Sequence, residues 1–270
     1  MAQDALRMDP SSKEAMVAVA RDHYRARKLD LAKYALAAIL EGFGESSPAR
    51  DKDNAEAHLL RGLIFRESGQ RAVAFQDFDA AVKKRPDNVE ALLNLGSMRL
   101  EAGNAIEAQP VMESAVRFAP NSALAHLNLG DCYRLLGKYN EAKSEFDKAL
   151  SIDSSLAAVH YDLGLMYLTA PNMPGTSADQ QVSTAIKEFN TYKTMRGPKP
   201  PPGVQDDIDS LLDRAKAKQD DLKNQTATPP PAAGGGGGAS DAGAAPPAKP
   251  ADKPAAPAKP AGTVNRDNPF

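Results

Sequence analysis

Apolar positions along this chain recur on two scales. Within stretches of about a dozen residues they fall three and four apart, the period of a helix with one buried face. On the longer scale whole stretches repeat. Residues 89–120 read VEALLNLGSMRLEAGNAIEAQPVMESAVRFAP, and residues 123–154 read ALAHLNLGDCYRLLGKYNEAKSEFDKALSIDS. Gly96 and Gly130 lie 34 residues apart, as do Gly103 and Gly137, Ala108 and Ala142, and Ala115 and Ala149. Two apolar stripes per 34 residues predict a helix-turn-helix unit that buries its faces by stacking on copies of itself.

The same pattern, more worn, extends both ways. One unit spans residues 13–46, with Ala20 where the other first helices have glycine, and Ala32, Leu36 and Ile39 in its second helix. An insertion near residues 42–54, EGFGESSPARDKDN, carries Gly, Pro and mixed charge and reads as an exposed loop. The next unit, 55–88, has Gly62, Phe65, Gly69, Ala74, Phe78, Ala81 and Pro86. A fifth begins at Ala157 with Tyr161, Leu163, Gly164 and Tyr167. Its turn is enlarged near 170–181, where Pro171 and Pro174 forbid helix, and it resumes through Ala185, Phe189 and Tyr192. The array is expected to cover residues 13–199. Gly69, Gly103 and Gly137 mark turns that want a left-handed backbone.

Leu129, Gly130, Tyr133, Ala142, Phe146 and Ala149 keep the spacing Leu-Gly, aromatic, Ala, Phe, Ala. That spacing resembles the tetratricopeptide repeat family and implies an all-α fold, an α-solenoid of five helix-turn-helix repeats. Three further segments complete the layout. Residues 1–10 read as the end of a second helix, half a repeat, so the natural chain is expected to begin earlier. Residues 203–224 carry Val204, Ile208, Leu211, Leu212, Ala215 and Leu222 on one stripe, an amphipathic helix suited to capping the last repeat. Residues 225–270 are almost all Pro, Ala, Gly and Lys, lack core-forming side chains and are expected to be disordered.

Composition narrows the function by exclusion. With 33 Lys and Arg against 35 Asp and Glu the net charge is -2, which gives no general pull toward nucleic acid or anionic membrane. Cys132 is the single cysteine; a packed, inert thiol is expected there. His58, His126 and His160 hold equivalent places in their first helices, about 10 Å apart across adjacent units, too far to share a metal. They are read as structural, with no metal and no cofactor expected. The run Gly234–238 lacks the Lys-Ser/Thr of a phosphate loop, and no catalytic constellation stands out. The chain is read as no enzyme.

What the resemblance implies is a protein or peptide segment held in a groove lined by the first helices. Carried over by position, that groove takes Val17, Arg21, Tyr24 and Arg25; then Leu59, Leu63 and Arg66; then Leu93, Ser97, Leu100 and Glu101; then Leu127, Asp131 and Arg134; and finally Tyr161 and Leu165. Asn94 and Asn128 match an asparagine that contacts a ligand backbone in the family; a hydrogen bond within the array is the other reading. The lysines of the family's carboxylate clamp are replaced by Val17, Leu59, Leu93 and Leu127, so the expected ligand is apolar or amphipathic. Packing between repeats is the alternative for those leucines.

A narrower similarity is to tetratricopeptide lipoproteins of the bacterial cell envelope, such as the adventurous-gliding-motility lipoproteins of myxobacteria. It rests on the half-repeat, the enlarged last turn, the helix DDIDSLLDRAKAKQ and the Pro/Ala tail. It implies a periplasmic assembly factor that meets the membrane only through a lost N-terminal lipid, with a cytoplasmic protein as the alternative. Two other readings stay open: a regulatory or recruiting module for an enzyme on another chain, and an anchor for a working Pro-rich tail.

Overall fold

The computed structural model describes residues 7–9, 11–45, 47–171, 173, 175–198 and 207–227. The readings of residues 1–6 as part of a half-repeat, of 199–206 as the end of the array and of 228–270 as a disordered tail lie outside the described residues. Eleven helices of more than one turn occur among the described residues, with no strand. In chain order they are α1 (Lys13–Arg25), α2 (Leu29–Leu40), α3 (Ala55–Glu67), α4 (Arg71–Lys84), α5 (Val89–Glu101), α6 (Ala105–Phe118), α7 (Ala123–Leu135), α8 (Tyr139–Ile152), α9 (Ala157–Thr169), α10 (Ala178–Arg196) and α11 (Ile208–Ala227). The chain forms two compact units, Met1–Val159 and His160–Phe270.

In the first unit the 34-residue period is visible in the helix ends. Ser12, Asn54, Asn88 and Ser122 cap α1, α3, α5 and α7, each side-chain oxygen accepting from the N–H three residues on. A cap of this kind stabilises a helix by about 1 kcal/mol. Each pair then turns through one left-handed residue: Gly69 at φ 74°, Gly103 at 81° and Gly137 at 72°. In the first pair that place is taken by Arg27 at φ 58°, the one non-glycine residue with positive φ among the described residues. The turn geometry is thus kept even where the residue suited to it is missing.

Packing inside each pair follows from one volume rule. A Cβ on Gly62 would sit 2.7 Å from the Phe78 ring, and one on Gly130 would sit 2.6 Å from the Phe146 ring. Gly96 meets the Met112 side chain at 2.5 Å in the same sense. Both phenylalanines and Met112 are fully buried, so none has room to retreat. Ala20 breaks the glycine pattern and faces the smaller Leu36 in the same cluster. A small residue on the first helix is matched by a large one on the second, and the sum is held nearly constant.

The insertion after α2 is a compact loop. Gly42 (φ 73°) bridges to Pro48, and the Phe43 N–H donates to the Ser47 carbonyl at 2.6 Å. A side chain at Gly42 would strike the backbone of residues 47–49 at 2.4 Å, so only glycine closes this loop.

The second unit packs α9, α10 and α11. Gly164 again accommodates a buried ring, that of Phe189, at 2.5 Å from its would-be Cβ. The enlarged turn is held by Gln181, which is 3% exposed. Its amide donates to the carbonyls of Tyr167 at 3.0 Å and Ala170 at 2.6 Å, and its oxygen accepts from the Met173 N–H at 3.2 Å. Ser177 and Gln180 form a reciprocal cap at the start of α10. Ile208, Leu211, Leu212 and Ala215 of α11 are all buried, and Lys193 reaches Asp209 from α10 at 2.5 Å.

Candidate functional site

The first helices of consecutive pairs lie side by side in the first unit, and polar side chains bridge them like rungs. Arg21 of α1 pairs with Glu56 of α3, and the Tyr24 hydroxyl donates to Glu67 of α3 at 2.5 Å. Arg66 of α3 donates to the Asn94 amide oxygen on α5 at 2.6 Å and lies 3.6 Å from Glu101. Arg71, at the start of α4, engages the other Glu101 oxygen. The Asn128 amide on α7 reaches the Ser97 hydroxyl on α5 at 3.5 Å, and Arg134 pairs with Asp131 within α7. Burial raises the Tyr24 hydroxyl pKa, and the Glu67 carboxylate beside it adds to the effect. Tyr24 therefore stays a neutral donor.

This arrangement sorts the residues expected in the groove. Arg21, Tyr24, Leu63, Arg66, Leu93, Glu101 and Arg134 are partly open, and Arg25 is exposed. Val17, Leu59, Leu100 and Leu127 are buried, at 7%, 2%, 4% and 0% exposure. Three of them pack between repeats: Val17 clusters with Ala57, Leu60 and Ile64 of α3, Leu59 with Ala91 and Leu95 of α5, and Leu100 with Leu129 and Cys132 of α7. The open part of this face is consequently more polar than the apolar floor read from the sequence. Asn94 also donates to the Glu90 carbonyl at 2.9 Å, so its amide serves the array. Ser97, Asn128 and Asp131 are buried within the same row.

Tyr161 and Leu165 belong to the second unit, where both are buried. Tyr161 packs against the rings of Phe189 and Tyr192, and its hydroxyl donates to Asp207 at 2.8 Å. Its role there is to hold the start of α11.

The rungs on the first-helix face were not legible in the sequence. The acceptors Glu56 and Glu67 had no place in that reading. Their signal was a glutamate recurring at the second position of α3 and α5 and at the last position of α3 and α5.

Away from this face the histidines take structural places. His58 lies 2.8 Å from Asp77 and 3.0 Å from the Lys52 carbonyl. His126 lies 2.5 Å from Glu145 and 2.9 Å from the Pro120 carbonyl, and His160 lies 2.6 Å from Glu188. Each ties a first helix to its own second helix. No group of three or more metal-ligating side chains occurs among the described residues. Cys132 is buried, donates to the Ala105 carbonyl at 3.3 Å, and has its thiol pushed up to about 12 by burial, then by Asp131. It is no nucleophile at neutral pH. No described helix is long and apolar enough to cross a membrane.

Asp77 carries a pH consequence. Burial alone would raise its carboxyl, but hydrogen bonds from His58 and Arg61 outweigh that and hold it below the usual carboxylate range. A depressed folded-state pKa stabilises above the unfolded value, near 4, and the contribution is lost as pH falls through the folded value. Asp77→Asn is expected to cost roughly 1–3 kcal/mol at pH 7, since Arg61 and His58 lose a buried partner. The gap to the parent protein should narrow below about pH 4. Urea unfolding at pH 7, 4.5 and 3 reads both; a gap that stays constant would show that Asp77 stabilises by shape alone.

Residues 87–155 match the family model of the tetratricopeptide repeat. No curated protein matches the chain in sequence. Among solved structures the fold resembles YrrB, described as a TPR protein with an unusual peptide-binding site, at 18% identity and a TM-score of 0.59, covering 80% of this chain and 97% of that one. It also resembles PilW, described as a widely conserved type IV pilus biogenesis factor, at 18% identity and a TM-score of 0.55, covering 80% and 92%. A third is PilF of Pseudomonas aeruginosa, at 16% identity and 0.52, covering 78% and 90%. At these identities the likeness is one of fold.

Proposed function

We propose that this chain, whose residues 87–155 match the tetratricopeptide repeat model, is a non-catalytic scaffold that holds a protein segment along the first-helix face of its N-terminal unit. The observation that carries this reading is the row of rungs: α1, α3, α5 and α7 are fixed edge to edge by Arg21, Tyr24, Arg66 and Asn128. A face fixed in this way costs little to organise when a ligand arrives. Leu63 and Leu93 are partly open among these polar groups. The segment they suit is amphipathic: apolar side chains meet the leucines, and its backbone or polar side chains meet Arg66, Glu101 and Arg134. We place the work of this scaffold in assembling a cell-envelope complex. The fold shared with PilW and PilF supports that placement.

Photo-crosslinking in the native cells tests the face. A crosslinking side chain at Leu63 or Arg134 is expected to capture one recurrent protein. The same group at Ser144, on α8 away from the row, is expected to capture none of it. Capture from Ser144 with nothing from Leu63 or Arg134 would move the binding surface elsewhere.

A further inference from the structure

The repeats supply their own control for what a second helix should show to solvent. On its solvent side α4 carries Val73, Gln76 and Ala80, α6 carries Glu107, Pro110 and Ser114, and α8 carries Glu141, Ser144 and Lys148. At the corresponding places α2 carries Leu31, Tyr34 and Ala38. Leu31 is 51% exposed and Tyr34 65% exposed. The inserted loop adds a third apolar group, Phe43 at 47% exposure, whose ring stacks on Tyr34 with centroids 4.8 Å apart and planes at 21°. The loop therefore brings an aromatic ring to a face that is already apolar, and the pair remains open to solvent.

Area and charge decide what fits there. An aromatic side chain spans about 150–250 Å², so the open parts of these three residues sum to on the order of 300 Å². A stable dimer needs about 800 Å² from each partner. The patch suits a few residues of extended chain, and exposed stacked rings are the surface on which proline rings of a polyproline II segment pack. Its rim is acidic. Asp30 stands one turn before Tyr34 and is 99% exposed while paired with Lys33; Glu41 is 63% exposed while paired with Arg61; Glu45 is exposed two residues beyond Phe43. A segment that combines proline with lysine meets both features. This chain's own residues 246–261, PPAKPADKPAAPAKPA, have Lys-Pro three times, at Lys249, Lys253 and Lys259.

We propose that Leu31, Tyr34 and Phe43 form a docking surface for a lysine-bearing proline-rich segment, supplied by residues 246–261 of a second copy of this chain. The surface is separate from the first-helix face, so it does not depend on the scaffold reading above.

The test titrates a fluorescein-labelled peptide of residues 246–261 into the full-length protein and follows anisotropy. Saturable binding is expected, at least tenfold weaker to Tyr34→Ser/Phe43→Ser, and weaker again when the three peptide lysines are glutamate. The two substituted side chains are exposed, and an unchanged circular dichroism melt shows that the variant is folded. Raising the salt concentration should weaken binding of the parent peptide. No binding to the parent protein, or equal binding to the double variant, would overturn the proposal. So would concentration-dependent association of the full chain that the Tyr34→Ser/Phe43→Ser variant retains and the free peptide fails to compete away, because the contact would then lie elsewhere.

Discussion

Phe146→Ala is expected to cost about 3–5 kcal/mol, among the largest losses a single truncation can produce in this fold. Its ring is fully buried and rests on the bare backbone of Gly130. Removing it leaves a cavity that helices pinned on several sides cannot close. The complementary change tests the volume rule more sharply. Gly130→Ala alone places a methyl 2.6 Å from that ring, with no room for the ring to yield, and should destabilise by about 1–3 kcal/mol. Gly130→Ala with Phe146→Leu recreates the Ala20 and Leu36 pair of the first repeat. That double variant is expected to recover at least half of the single-variant loss. Urea unfolding of the parent, Gly130→Ala, Phe146→Leu and the double variant gives the coupling directly. Additive losses would mean that the two residues do not share one space.

Leu127→Glu is expected to unfold the N-terminal unit at room temperature. The side chain is 0% exposed, and a carboxylate there has no partner to offset its desolvation, a loss above about 4 kcal/mol. Domains of this size have only about 5–15 kcal/mol in total. Leu93→Glu, at the equivalent place one repeat earlier but partly open, should retain a cooperative melt at reduced temperature. Circular dichroism separates the two at once. If Leu127→Glu melted like the parent protein, the enclosure of α7 would be wrong, and the groove read from the sequence would regain its floor.

The contrast between Leu93 and Leu127 shows where the sequence stops being legible. Period, turns and caps could be read because each is a local demand: glycine where φ is positive, a small residue opposite a ring, Ser or Asn before a first helix. Which side of a first helix faces the ligand is a different kind of question. In α7 every residue from Ala125 to Cys132 is buried, eight in succession, polar ones included, so the helix shows solvent no open stripe over those turns. A helix enclosed on nearly all sides carries no periodic mark of the side that opens, and placing Leu127 in the groove by family position supplied one that the packing overrides. The asparagines were open between two readings for a related reason. An amide that bonds a neighbouring guanidinium and one that awaits a ligand look alike in a string of letters. The histidines were read as structural from their spacing, and each bonds a carboxylate of its own second helix.

The glycine–ring contacts fall within single repeats, whereas the rungs run between them, and this division has a consequence for how such a chain changes length. Excising the 34 residues 89–122 would fuse two intact hairpins, and the interior of each would be undisturbed. Asn128 would arrive where Asn94 now accepts from Arg66, so that rung would be rebuilt. Leu135, however, would replace Glu101, leaving the guanidiniums of Arg66 and Arg71 facing an aliphatic side chain in place of their carboxylate. Duplication or loss of whole modules is thus nearly neutral for the core and costly at the joints. Units of this chain are interchangeable in their hydrophobic architecture and individual in their polar seams, so its lineage can gain or lose a module only by re-matching charges across the new junction.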